Sequence, residues 1–66
     1  MDLPIAALDR LLRRGGAERV SEEAAKALGE VLEEQAKGIG AKASELAKHA
    51  KRKTVTAEDV RLAAKG

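Results

Sequence analysis

One stretch of this chain dictates most of what it can become. Residues 22–49 run without a proline, and apolar side chains recur along them at helical spacing. The stripe reads Leu28, Val31 and Leu32, Gln35, Ile39, Ala43, Leu46 and Ala50, with Gln35 its one polar member. A similar short phrase stands at each end of the run. Residues 18–23 read Glu-Arg-Val-Ser-Glu-Glu, and residues 53–59 read Lys-Thr-Val-Thr-Ala-Glu-Asp. Each copy sets a polar or basic residue, then Val, then a hydroxyl residue, then acids. The implied order is short helix, extended loop, long helix, extended loop, short helix.

Geometry then demands a partner. A helix over 22–49 is about 40 Å long. A compact monomer of 66 residues has a radius of gyration near ~11 Å. Two short helices cannot cover such a rod. The expected solution is a second copy crossing it, so that each chain buries the other's stripe in an isologous two-fold dimer. Folding and association are then one event. The composition points the same way. There is no Phe, Tyr or Trp, so Leu, Val, Ile and Ala must do all the packing. A chain of this size buries only about 60% of its unfolded surface.

Other features narrow the function classes. With no Cys, disulfides and thiolate metal sites are excluded. No apolar run approaches the ~20 residues of a membrane span. The opening Met-Asp-Leu-Pro has no basic segment leading into an apolar one, so no signal peptide is expected. A soluble, cytoplasmic chain with no membrane partner follows as the expectation. The net charge of +2 is a mild pointer to a polyanion. Its distribution says more. Glu22, Glu23, Glu30, Glu33 and Glu34 crowd the first half of the long run. Lys37, Lys42, Lys48, Lys51, Arg52 and Lys53 crowd its second half and the following loop, and Arg10, Arg13, Arg14 and Arg19 lie upstream.

Local signals set the boundaries. The first helix is expected from about Leu3 to Arg14, with Pro4 in its first turn and Ile5, Leu8 and Leu11/Leu12 as its apolar stripe. Gly15-Gly16 ends it through the left-handed conformation. Ser21 is an N-cap for the long helix, with Glu22 and Glu23 complementing the dipole. Thr56 caps the third helix, and Asp59 three residues on completes a capping-box variant. Val60, Leu62 and Ala63/Ala64 form its apolar side. Gly29, Gly38 and Gly40 weaken the long helix by roughly 1 kcal/mol each. A close crossing of two helices would explain Gly38 or Gly40.

Enzymatic readings find little material. Gly38-Ile39-Gly40-Ala41-Lys42-Ala43 matches a dinucleotide-binding fingerprint by letters, but it lies inside a helical pattern where a preceding strand is required. Arg14-Gly15-Gly16 reads better as a helix cap than as an RGG element. No set of His, Cys and Asp has metal-ligand spacing, and Ser21, His49 and Asp59 make no triad. The expectation is a non-enzyme with no catalytic residue, metal, cofactor or small-molecule substrate.

At this point the residues resemble the archaeal histones. The resemblance is carried by Leu3-Pro4-Ile5-Ala6, Gly16-Ala17-Glu18-Arg19-Val20-Ser21, His49-Ala50, Arg52-Lys53-Thr54 and Ala57-Glu58-Asp59, and by the spacing between them. It covers essentially the whole chain. Lys51 departs from it, standing where the family usually has Gly. Gln35 stands where a larger apolar residue is expected, and Gly29, Gly38 and Gly40 where better helix formers are common.

The resemblance implies an all-α histone fold over residues 1–66 as a single domain, forming an intertwined handshake dimer on double-stranded DNA. Loop one of one chain would lie beside loop two of the other, pairing Arg19-Val20-Ser21 with Thr54-Val55-Thr56. Arg19 would enter the minor groove, steadied by Thr54 of the partner chain. On such a dimer the basic side chains Arg10, Arg13, Arg14, Lys51 and Lys53 of this chain would contact phosphates, which position DNA without reading its sequence. Arg52 and Asp59 would form a structural ion pair. His49 has two readings: a histidine in the last helical turn, favoured there by the dipole, or a member of a dimer–dimer contact with Leu46, Asp59 and Leu62. In the second reading, assembly would respond to pH near neutrality. Gly16 would let neighbouring turns of a stacked filament approach, with Lys26, Glu30, Glu34, Glu58, Arg61 and Lys65 offering charge pairs between layers.

The function expected is therefore that of an architectural chromatin protein at the chromosome, wrapping duplex DNA with little sequence preference. Its partners are DNA, further copies of itself as homodimer, tetramer or longer assembly, and as a second candidate another histone. The rival is a histone-fold module for protein interaction that does not wrap DNA.

Overall fold

A computed structural model describes residues 4–66 and contains three helices: α1 (Ile5–Arg14), α2 (Glu22–His49) and α3 (Ala57–Lys65). Among the described residues there is no β-strand. The chain divides into two compact units, Met1–Glu34 and Gln35–Gly66.

In the first unit, Pro4 is the N-cap of α1 rather than a member of its first turn. Its backbone is extended (φ −61°, ψ 127°), and its carbonyl accepts the amides of Ala7 and Leu8. Leu3, expected at the start of this helix, lies outside the described residues. The end of α1 is a two-bond reversal in which the Gly16 amide bonds the Arg13 carbonyl and the Ala17 amide bonds the Leu12 carbonyl. Only Gly16 takes positive φ, at 116°, while Gly15 stays right-handed at φ −79°. The Ser21 hydroxyl then accepts the Ala24 amide at 3.0 Å and opens α2. Leu8 and Ala25 are the buried apolar residues of this unit. Gly29 is the close approach that glycine makes possible here. A Cβ on it would stand 3.1 Å from Leu8 Cδ1.

In the second unit, α2 ends by the same device. The Lys51 amide bonds the Lys48 carbonyl and the Arg52 amide bonds the Ala47 carbonyl, each at 2.9 Å. Lys51 occupies the left-handed position at φ 58°, which costs a residue with a Cβ about 1 kcal/mol or more relative to glycine. Thr56 and Asp59 form a complete capping box at the start of α3. Ala43, Ala47 and Ala63 are the buried apolar side chains, joined by Asp59.

The expected long helix spans its predicted residues without a break, but its expected apolar stripe is only partly buried. Ala25 and Ala47 are buried although neither belongs to it. Val31 is 53% exposed, Leu46 36%, and Ala50 lies in an exposed turn past the helix end. Along α3, Ala63 is buried while Val60 and Leu62 stay open at 43% and 50%. The physical reason is supply. Each unit offers too little apolar surface to cover its own aliphatic side chains. Gly38 and Gly40, expected at a helix crossing, meet nothing within 4 Å in this chain.

The open surroundings of Gly40 give a direct stability test. Gly40→Ala adds helix propensity without a clash, and is expected to stabilise by about 1 kcal/mol in urea unfolding at fixed protomer concentration. Destabilisation would mean that another chain packs against this position.

Candidate nucleic-acid interface

The two loops are built alike, and the likeness extends to their side-chain braces. In the first loop, Arg13 Nε donates to Asp9 Oδ1 at 2.7 Å and Arg13 Nη1 to the Glu18 carbonyl at 3.1 Å. In the second, Arg52 Nη1 donates to the Thr54 carbonyl at 3.0 Å and to Asp59 Oδ2 at 2.9 Å, while Nη2 reaches Asp59 Oδ1 at 2.9 Å. Each loop thus has one arginine that ties a backbone carbonyl to a carboxylate on the neighbouring helix. The resemblance assigns Arg13 to phosphate; the structure engages its guanidinium within the first loop. The signal available was the four-residue spacing of Asp9 and Arg13 on one helix face.

The second brace is the deeper one. Asp59 is 4% exposed, and its carboxylate also accepts the Thr56 amide at 2.9 Å. The Arg52 hydrogen bonds, reinforced by Thr56, hold Asp59 well below the usual carboxylate range, and burial opposes them only partly. The same contacts push the Arg52 guanidinium further up. His49 makes no contact with Asp59 within the chain, among the described interactions. His49 is exposed at the end of α2, beside Glu45 and Lys48.

With Arg13 and Arg52 engaged, the remaining loop cations stand out. Arg19 and Lys53 are exposed and have no hydrogen-bond or ion-pair partner among the described residues, and the same holds for Arg10 on α1 and for Lys51. The Thr54 side chain is exposed, its carbonyl occupied by Arg52. Gly16 is exposed with open space where a side chain would project. Leu46 and Leu62 are both partly open.

Each Val of the repeated phrase borders a groove, one lined by the acids Asp9 and Glu22, which pair with Arg13 and Lys26, and the other by the bases Lys48, Arg52 and Lys53. At Val20 the groove is about 240 Å³ and is bordered by Ile5, Asp9, Ser21, Glu22 and Ala25. At Val55 it is about 250 Å³, bordered by Ser44, Ala47, Lys48, Arg52 and Lys53. A third, open groove of about 500 Å³ in the second unit is lined by Gln35, Gly38, Ile39, Lys42, Ala63, Ala64 and Gly66. Among the described residues no group of three or more His, Cys, Asp or Glu could hold a metal ion, and no helix is long and apolar enough to cross a membrane. Residues 38–43 are helical throughout, which removes the strand that a dinucleotide site needs.

Two capped helix starts, two arginine-braced loops and a long central helix are the layout of a histone. The family of histone-like transcription factors (CBF/NF-Y) and archaeal histones matches residues 1–64. The chain belongs to this family. It is 69% identical over 64 residues to a protein of Thermococcus zilligii named as one subunit of the archaeal histone HAN1, covering 97% of this chain and 96% of that protein. It is 54% identical over 65 residues to a probable archaeal histone 3 of Methanocaldococcus jannaschii, covering 98% and 97%. The three helices are therefore an all-α histone fold, and the protein is a histone-fold chromatin protein.

The buried Asp59 makes the fold acid-sensitive in a defined direction. Its folded pKa lies below the ordinary value of 3.8, so its stabilising contribution is fully present above about pH 4 and is lost as pH falls further. Unfolding midpoints are expected to hold through neutral pH down to that range and then to drop. Asp59→Asn should lower the midpoint at pH 7 and weaken the acid-side dependence. An unchanged acid limb in that variant would assign the drop to other carboxylates.

Proposed function

We propose that this histone binds duplex DNA with little sequence preference, as a dimer whose two paired-loop sites present Arg19, Lys53 and Thr54. The observation that carries the reading is the division of labour among the loop cations. Arg13 and Arg52 are engaged in bracing the loops, and Arg19 and Lys53 are left exposed with no partner among the described residues. Family membership supports the same conclusion.

Dimerisation is supported by the aliphatic side chains each unit leaves open, Ile5, Leu11 and Val31 in one and Val55 and Val60 in the other. The apolar Val20 and Val55 grooves, one edged by acids and the other by the bases Lys48 and Lys53, suit loop one of one chain against loop two of the next. In this handshake arrangement residues 1–66 act as one histone-fold domain. Arg19 suits a narrow, electronegative minor groove and needs no base code. Arg10 and Lys53 contact phosphates, and DNA bendability decides preference more than base identity. Binding falls with salt, since each neutralised phosphate releases counterion.

Larger assembly is part of the proposal. Leu46 and Leu62, with His49 and Asp59, form a contact between dimers, and the open face at Gly16 lets neighbouring turns stack. A second copy is the first partner. Another histone is the second candidate, in keeping with a relative whose name makes it one subunit of a histone. The working location is the chromosome in the cytoplasm. The rival reading, a histone-fold module for protein interaction, draws on the modest charge of +2 per chain.

Nuclease protection of random-sequence duplex, titrated with protein at moderate salt, separates the readings. A ladder of protected lengths supports wrapping with polymerisation, and a single protected length supports a closed assembly. No protection by a protein that sediments as a dimer favours the interaction module. Arg19→Ala is expected to weaken DNA binding on the order of tenfold and to leave the dimer intact in sedimentation.

A further inference from the structure

The end of α2 contains a strained residue that the fold does not need. Lys51 sits at φ 58°, in the left-handed region where a Cβ crowds the backbone and glycine is at ease. The conformation is enforced from both sides, by the Lys51 amide on the Lys48 carbonyl and by the Arg52 amide on the Ala47 carbonyl. The matching position at the end of α1 has the same bonding and carries Gly16 at φ 116°. One loop therefore uses the relaxed residue and the other does not. A strained residue kept where a relaxed one would fit calls for a compensating role.

The described residues do not supply that role. The Lys51 side chain is exposed and has no partner among them. Its neighbours show what it adds. Arg52 is turned to Asp59 and the Thr54 carbonyl, which leaves Lys51 and Lys53 as open cations on either side of it. The two backbone bonds that close the turn fix where the Lys51 side chain leaves the backbone. A phosphate backbone is the ligand such a pair of point charges fits, because lysine contributes charge without a directional fork.

We propose that Lys51 is a phosphate-contacting residue of the second loop, retained at the expense of fold stability to strengthen the grip on DNA. The inference rests on the DNA-binding reading above. A dimer carries two copies, so each dimer gains two phosphate contacts that glycine would forfeit.

The test compares wild-type protein with Lys51→Gly, Lys51→Asn and Lys51→Arg. Thermal unfolding at fixed protomer concentration is read beside affinity for a random-sequence duplex over a salt series. Lys51→Gly and Lys51→Asn relieve the strain and remove the charge. Both are expected to melt higher than wild type, to bind on the order of tenfold more weakly at about 0.1 M salt, and to show a log–log salt slope shallower by about 2 per dimer. Lys51→Arg keeps charge and strain and should match wild type in both readouts. A Gly variant with unchanged affinity and slope would overturn the role of Lys51 while leaving DNA binding by the protein standing. Wild-type protein that fails to bind the duplex would overturn the underlying reading itself.

Discussion

The scarcity of buried apolar volume governs this structure. The buried apolar set is Leu8, Ala25, Ala43, Ala47 and Ala63, and no large side chain among the described residues is completely buried. Alanine buries a single methyl, and each methylene-sized increment contributes about 0.8 kcal/mol. Alanines permit close approach of backbones but supply little driving force. Apart from Leu8, the larger aliphatic side chains of both units stay half-buried or exposed. A chain with that many open aliphatic positions is half of a core, in keeping with a fold that is completed by a second histone chain. Stability and association are consequently one quantity for such a protein.

Polar chemistry does the local work that the core cannot. Both loops are fixed by the same three devices: a two-bond helix end, an arginine holding a loop carbonyl, and a hydroxyl that opens the next helix. The two braces differ in environment. Asp9 and Arg13 lie in the open, where an ion pair four residues apart contributes little. Asp59 is almost fully covered and satisfied by Arg52 and Thr56, so breaking its set leaves a carboxylate without partners in a place water cannot easily reach. The second loop is thereby held more firmly than the first, and it is also the loop that tolerates the left-handed lysine.

Much of this plan was legible in the residues. Ser21, Thr56 and Asp59 announce helix starts through local hydrogen bonding, which depends on a few adjacent positions. The absence of proline over residues 22–49 was enough to place one continuous helix despite three glycines. Packing was harder to read. Ala25 and Ala47 are buried and fall outside the most apolar stripe, because the residues a chain buries within itself are those small enough to sit against its own short helices. Most of the more hydrophobic stripe stays half-buried or exposed, Ala43 being its buried member. Gly29 has a packing reason that spacing alone did not give, since Leu8 comes from a separate helix. The tie from Arg13 to the Glu18 carbonyl was missed for a related reason: a loop carbonyl has no signature in the sequence.

Burial and charge also separate the two kinds of association this protein is built for. Joining aliphatic faces removes apolar surface from water, an effect that salt does not screen and that excluded anions such as sulfate strengthen. Holding a polyanion with Arg19, Lys51 and Lys53 is electrostatic and weakens steeply as ions compete. The two therefore respond differently to ionic strength, because one buries apolar surface and the other neutralises charge. Val31, Leu46, Val60 and Leu62, the open aliphatic side chains of α2 and α3, carry no charge, and the loop cations lie outside the apolar stripe. A dimer can therefore persist under salt that strips it from DNA.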